Sequence, residues 1–246
     1  MKSNPDLKRI KCRISELVVE VPDAGGVYTP LYLQYSDFST DKPDIIIDET
    51  KFKREDYPVN MTEEMISYME SYSQFCRELI FFHGFTLHAS AVEFDGKAYL
   101  FSGPCGIGKS THTHLWEKTF GQEAKIFNDD KPAIRKIDGI WYAYGTPWCG
   151  KDLIQLNIKV PIAGVCFLKQ DNLNVIRQLP KSEALAKLLE QSLHRFRNTE
   201  RLDLMLGLVD AFIDEIPVFE LANRPEPAAV ILSRDSMKKI AEERGL

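Results

Sequence analysis

Cysteine is scarce and unpatterned: Cys12, Cys76, Cys105, Cys149 and Cys166 are five in number, widely spaced, and form no CxxC pair. Such spacing argues against a disulfide framework and a thiolate zinc site. Histidine is equally unhelpful for a metal cage. If His83 and His88 shared a strand, their odd separation would turn them to opposite faces. His112 and His114, two apart on a predicted helix, miss the three- or four-residue spacing of one face. Any metal is therefore expected to be oxygen-bound. No run of about eighteen apolar residues occurs, and the opening MKSNPDLKRIKCR has no apolar leader, so a soluble cytoplasmic chain is expected. An excess of basic charge is missing as well. With 31 Lys and Arg against 36 Asp and Glu, the net charge of −5 opposes partnership with long nucleic acid or an anionic membrane. Internal repeats, low-complexity tracts and long linkers are also absent.

The chain does have the means to fold. Its 246 residues are 44% hydrophobic and 27% charged, ordinary values for a globular protein with one sizeable core. From Cys12 to Asp48, ELVVEV, LYLQY and DIIID are punctuated by PDAGG, TP and DKP, which predicts a small antiparallel sheet. Thr62 is placed to cap a helix that carries Glu63 and Glu64 in its first turn and ends near His83-Gly84. FTLHASAVEF and KAYLFSG then read as two strands of a hairpin turning at Asp95-Gly96. AKIFNDD, AIRKI, IWYAYG, AGVCFLK and LNVIRQL supply further strands. Ser182 is read as the cap of a following helix. Helices over 200–215 and 228–243 flank a strand PVFELA. The expected architecture is α/β: residues 1–82 form an N-terminal β-rich region with one helix, and residues 83–246 form the catalytic domain.

Chemistry concentrates in the middle. Gly103-Pro104-Cys105-Gly106-Ile107-Gly108-Lys109-Ser110 satisfies GxxxxGK[ST] without substitution, between a strand ending at Leu100-Phe101 and a helical pattern that opens with Thr111. Glycines let the backbone wrap phosphate oxygens, and successive N–H groups form an anion nest at a helix N-terminus. Lys109 neutralises the β- and γ-phosphates and Ser110 ligates Mg²⁺. ATP or another purine nucleotide is the expected cofactor, with Mg²⁺. Asp129, nineteen positions beyond Ser110, and Asp130 end the next apolar run. One of the two aspartates can hold the metal while the other accepts a proton from an attacking hydroxyl. In Gly145-Thr-Pro-Trp-Cys-Gly-Lys151, Lys151 is placed to meet the transferred phosphate from the side opposite Lys109. Arg135 reads as a strand-face charge and Trp116 as a packing residue.

At LHASAVEFDGKAYLFSGPCGIGKST, FNDDKPAI and YGTPWCGK the chain resembles the HPr serine kinase/phosphorylase catalytic domain and its relatives in the phosphoenolpyruvate carboxykinase-like superfamily. The resemblance spans about Leu87 to Lys151. It implies a β-rich core with an embedded P-loop and phosphoryl transfer to a hydroxyl. Lys109 and Ser110 would then sit on the phosphates and Mg²⁺, with Asp129 or Asp130 as metal ligand and general base. His88 matches the histidine that precedes the family's P-loop strand and is implied to be catalytic. Thr111 stands where HPr enzymes usually carry an acidic residue, and no counterpart of their HPr-contacting segment follows Lys151. The expected acceptor is therefore a hydroxyl of a peptide, a protein or a small molecule, with HPr not the principal one. Two alternatives stand beside this kinase: a nucleotide-binding regulatory module without turnover, and a phosphoenolpyruvate carboxykinase-like enzyme. Size disfavours the second. Self-association is compatible with all three.

Overall fold

Residues 8–192 and 199–246 are described by a computed structural model; residues 1–7, which begin the stretch read above as leaderless, and residues 193–198 lie outside it. Strands β1 (Arg9–Ile14) and β2 (Leu17–Pro22) form an antiparallel hairpin. Its turn places Ser15 and Glu16 at φ 52° and 66°, in left-handed backbone that Gly or Asn would normally occupy. Tertiary contacts hold it there. Arg135 Nη1 donates to Ser15 O at 2.5 Å, and the Glu16 carboxylate accepts from Tyr144 Oη at 2.7 Å and Lys159 Nζ at 2.8 Å. Arg135 is thus a buried strut, which corrects its assignment as a strand-face charge.

Two further expectations fail in this region. LYLQY is not a strand: helix α1 (Thr29–Leu33) takes its first part, because Pro30 pre-sets helical φ in the first turn and buries Leu31 and Tyr32. The sheet is also not wholly antiparallel, since β3 (Ile45–Ile46) runs parallel to β2. Helix α2 (Glu63–Leu79) starts as expected, with Thr62 Oγ1 accepting from Met65 N–H at 3.3 Å.

Among the described residues the large sheet has nine strands: β4 (Gly84–Thr86), β5 (Ala89–Phe94), β6 (Lys97–Ser102), β7 (Ala124–Asn128), β8 (Ala133–Ile137), β9 (Ile140–Tyr144), β10 (Lys159–Gln170), β11 (Val175–Gln178) and β12 (Val218–Asn223). Its order is β4-β8-β9-β10-β6-β5-β7, with β12 also on β10 and β11 on β12. Strand β10 runs parallel to β6 and β12 and antiparallel to β9. FTLHASAVEF is two strands: the backbone N–H groups of Leu87 and His88 leave the ladder for Pro132 O and Gln191 O. That break sets His88 beside the site described below. Helices α4 (Lys181–Ser192) and α5 (Thr199–Glu215) pack with one hydrophobic cluster of the sheet, and α3 (Lys109–Phe120) and α6 (Pro227–Glu243) with another. Ser182 lies inside the first turn of α4 and does not cap it, because the helix already begins at Lys181.

A sheet covered on both faces explains why β10 is almost continuously apolar. Ile162 belongs to the α4/α5 side and Ala163 to the α3/α6 side, yet Val165 returns to the α4/α5 side. The register shift between Ile162 and Gly164 opposite β6 makes this exchange of faces. A third cluster joins β1 and β2 to α2 and to Ala133, Tyr144, Trp148 and Cys149.

Candidate active site

The loop between β6 and α3 takes its shape from glycine. Gly103, Gly106 and Gly108 have φ of 140°, 80° and 107°, conformations that an L side chain resists. A Cβ on Gly103 would also stand 3.2 Å from the Ile107 side chain. Pro104 O accepts from Ile107 N–H at 3.3 Å and closes the turn, while Cys105 is exposed. Lys109, the first residue of α3, is buried and folds back so that Nζ donates to Gly103 O at 2.9 Å and Pro104 O at 3.2 Å. Burial lowers its pKa, and the charge of Asp130 opposes that shift. Ser110 is half-buried in the first turn of α3, and Thr111 beside it is exposed.

The paired aspartates follow β7 and occupy different environments. Asp129 is buried, and its Oδ1 accepts from Gly150 N–H at 2.6 Å. Burial drives its carboxyl above the ordinary range, the Gly150 bond works against this, and the neighbouring charge of Asp130 adds to it. A side chain at Gly150 would have to displace the carboxylate, since a Cβ would lie 2.8 Å from Asp129 Oδ2. Asp130 goes the other way. Burial would raise its carboxyl too, but the bond to His88 and the charges of Lys131 and Lys109 outweigh it and hold the group below the usual range. His88 Nε2 lies 3.2 Å from Asp130 Oδ1, and His88 Nδ1 lies 2.9 Å from Gln191 Oε1 at the end of α4. Lys109, His88, Asp129 and Asp130 are therefore brought together. Lys151 is exposed in the turn that follows Gly150.

Several residues that sequence reasoning passed over hold this arrangement. Asn128 accepts from the backbone of Asp130 at 3.2 Å and Lys131 at 2.6 Å. Its amide nitrogen donates to Thr146 O at 3.1 Å and Trp148 O at 3.3 Å. Tyr68 of α2 receives Cys149 N–H at 2.9 Å and donates to Pro147 O at 3.0 Å. Lys131 Nζ lies 4.6 Å from the centre of the Tyr72 ring and 3.5 Å from Asp130 Oδ2. Asn128 and Lys131 fall in the FNDDKPAI run and Thr146 to Cys149 in YGTPWCGK, whereas Tyr68 and Tyr72 carried no such signal.

On the other side of the glycine loop lies a cavity of about 350 Å³ whose walls include Ile107, Thr111, His112, Asp171, Asn223 and Arg224. It opens beyond the carboxyl ends of the parallel strands β6, β10 and β12, where ligands collect in sheets of this kind. Among the described residues, no group of three or more His, Cys, Asp or Glu side chains is placed to hold a metal. Mg²⁺ fits the site by another route, since it takes one or two protein oxygens together with phosphates and water, and Ser110 and the aspartates are oxygen donors of that type. No helix of the described residues is long and apolar enough to cross a membrane.

No protein-family model and no curated protein matches this chain. Among solved structures, the chain is similar to the Hpr(Ser) kinase/phosphatase from Coxiella burnetii, with 12% identity, 65% of this chain and 96% of that chain covered, and a TM-score of 0.35. That is a distant structural relationship, and the function drawn below rests on this chain's own residues.

Proposed function

We propose that the chain is an ATP- and Mg²⁺-dependent kinase that transfers a phosphoryl group to a hydroxyl of a peptide, protein or small molecule. One observation carries this: a glycine loop with positive φ at three glycines opens α3, and its lysine lies in the field of an aspartate whose neighbour is a buried, hard-to-ionise carboxyl. Loop N–H groups from Gly103 to Ser110 and the Lys109 ammonium hold the phosphates, and the cavity beyond Ile107 takes the nucleoside. Bound Mg²⁺ would neutralise charge on the phosphate oxygens. Ser110 and Asp130 would hold it, because Asp130 is kept ionised and cations favour a carboxylate in that state.

Asp129 is the better base. Its raised pKa makes its carboxylate a stronger proton acceptor than a free one. The acceptor hydroxyl gives its proton to Asp129 as its oxygen bonds to the γ-phosphorus and the bond to the ADP oxygen breaks. His88 orients Asp130, and Lys151 reaches the transferred group from the far side. The region 83–246 carries this chemistry, and the N-terminal sheet braces it through α2.

Labelled ATP and Mg²⁺ incubated with HPr, hydroxyl-bearing peptides and free serine test the proposal. Label is expected on a peptide or small hydroxyl compound. Efficient labelling of HPr alone would refute the acceptor class, and wild-type transfer by both Asp129→Asn and Asp130→Asn would refute the roles of the aspartates.

A further inference from the structure

Beneath the cavity, three side chains form a chain of contacts that decides what the cavity offers a ligand. Trp116 Nε1 donates to His112 Nε2 at 3.3 Å, and His112 Nδ1 lies 3.3 Å from Asn223 Nδ2. Trp116 and His112 are both buried, and burial pushes the His112 pKa down to about 3, so the ring is neutral and carries one proton. An indole N–H can only donate. A proton on Nε2 would face it, so Nε2 must be the bare nitrogen and Nδ1 the protonated one. The hydroxyl of Ser233, 3.3 Å from Nε2 and now donating to Val230 O, is a rotor that tolerates either state. The indole does not. With the proton on Nδ1, an amide nitrogen opposite it sets donor against donor. Rotation of the Asn223 amide by half a turn brings Oδ1 to Nδ1 as acceptor and carries the NH₂ away from the ring. His112 and Asn223 both line the cavity.

We infer that Trp116, His112 and Asn223 form a polarity relay that fixes Asn223 as a hydrogen-bond donor in the cavity, selecting a ligand that presents an acceptor atom there. This rests on the nucleotide reading of the cavity; the acceptor is then a ring nitrogen, carbonyl or ribose oxygen of the nucleoside. Asn223 and His112 are positioning and binding residues and take no part in the chemical step.

Two measurements test it, one of them free of ligand. Long-range ¹⁵N–¹H correlation on the wild-type protein should show His112 protonated at Nδ1 and bare at Nε2; the opposite tautomer overturns the relay. In calorimetry with Mg-ADP, Asn223→Asp keeps the acceptor toward His112 but replaces the donor in the cavity with a second acceptor. It should bind about tenfold or more weakly while preserving the His112 tautomer. Trp116→Phe should release the ring to the Nε2-protonated form and weaken binding similarly, but Trp116 is buried and its loss can unfold the chain, which is why the wild-type spectrum and Asn223→Asp carry the test. If wild type binds Mg-ADP, Lys109→Ala does not, and Asn223→Asp binds as well as wild type, the relay is wrong and the nucleotide reading stands. If wild type binds no nucleotide, the donor role falls together with that reading, whatever the tautomer.

Discussion

Asp129 and Asp130 are adjacent in sequence, yet their surroundings drive their carboxyls in opposite directions. A carboxyl that folding makes harder to ionise destabilises the folded state at neutral pH. The folded protein binds that proton more tightly, so this contribution to stability increases as pH falls through the raised pKa. Asp130 has the opposite sign: its contribution is present above the ordinary Asp value of about 3.9 and is lost as pH falls through its depressed pKa. Asp129→Asn keeps the acceptor for Gly150 N–H and removes the buried charge. It should raise the neutral-pH melting temperature by a few degrees while reducing phosphoryl transfer at least a hundredfold, as loss of a general base does. A thermal melt and a transfer assay on the same sample check both halves. In wild type, the acid limb of the rate profile should lie above the ordinary carboxylate range. Gly150→Ala makes a sterner demand, because the new methyl would meet Asp129 Oδ2; transfer should fall about as far as in Asp129→Asn, but with no gain in stability.

At the scale of elements, the loop 145–151 and helix α2 act as one piece. Tyr68 ties Pro147 and Cys149, and the next peptide N–H holds Asp129. Tyr68→Phe removes one oxygen and leaves a buried N–H and C=O unpaired, which costs about 1–3 kcal/mol. It should weaken transfer more than nucleotide binding, as calorimetry and kinetics together would show. What was legible in the sequence divides along the same line. The glycine loop, the Asp95-Gly96 turn, the Thr62 cap and the aspartate pair are local, each resting on residues within a few positions. Tyr68 and Pro147 are 79 positions apart, and His88 and Gln191 are 103 apart, so no window along the chain could join them. The Ser15-Glu16 turn escaped because its left-handed backbone is supported by Arg135, Tyr144 and Lys159 from elsewhere in the fold. LYLQY misled because apolar and aromatic residues suit a strand, whereas Pro30 and burial of Tyr32 settle it as a helix.

For the whole molecule, the aromatic cluster around Trp148 links the N-terminal sheet and α2 to the loop that holds Asp129. Trp148 is fully buried, 4.8 Å from Phe75 and 6.2 Å from Tyr32 between ring centres. Trp148→Ala should cost about 3–5 kcal/mol of stability, read by denaturant unfolding, and take the site with it. The proposed binding at the glycine loop should act in the opposite sense: Mg-ATP at about a hundred times its dissociation constant should add about 2.7 kcal/mol to the folded state and, for a chain of this size, raise the melting temperature by about 5–10 °C in a thermal melt.

The proposed kinase depends first on the loop from Gly103 to Ser110 holding the phosphates of a nucleotide, with Lys109 as the residue on which that binding turns. Calorimetric titration of Mg-ATP into wild type and Lys109→Ala, both shown to be folded by circular dichroism, tests it most directly. Saturable one-to-one binding to wild type and at least a thirtyfold loss of affinity in the variant are expected. Equal affinity in the two proteins, or no binding to folded wild type, would contradict it.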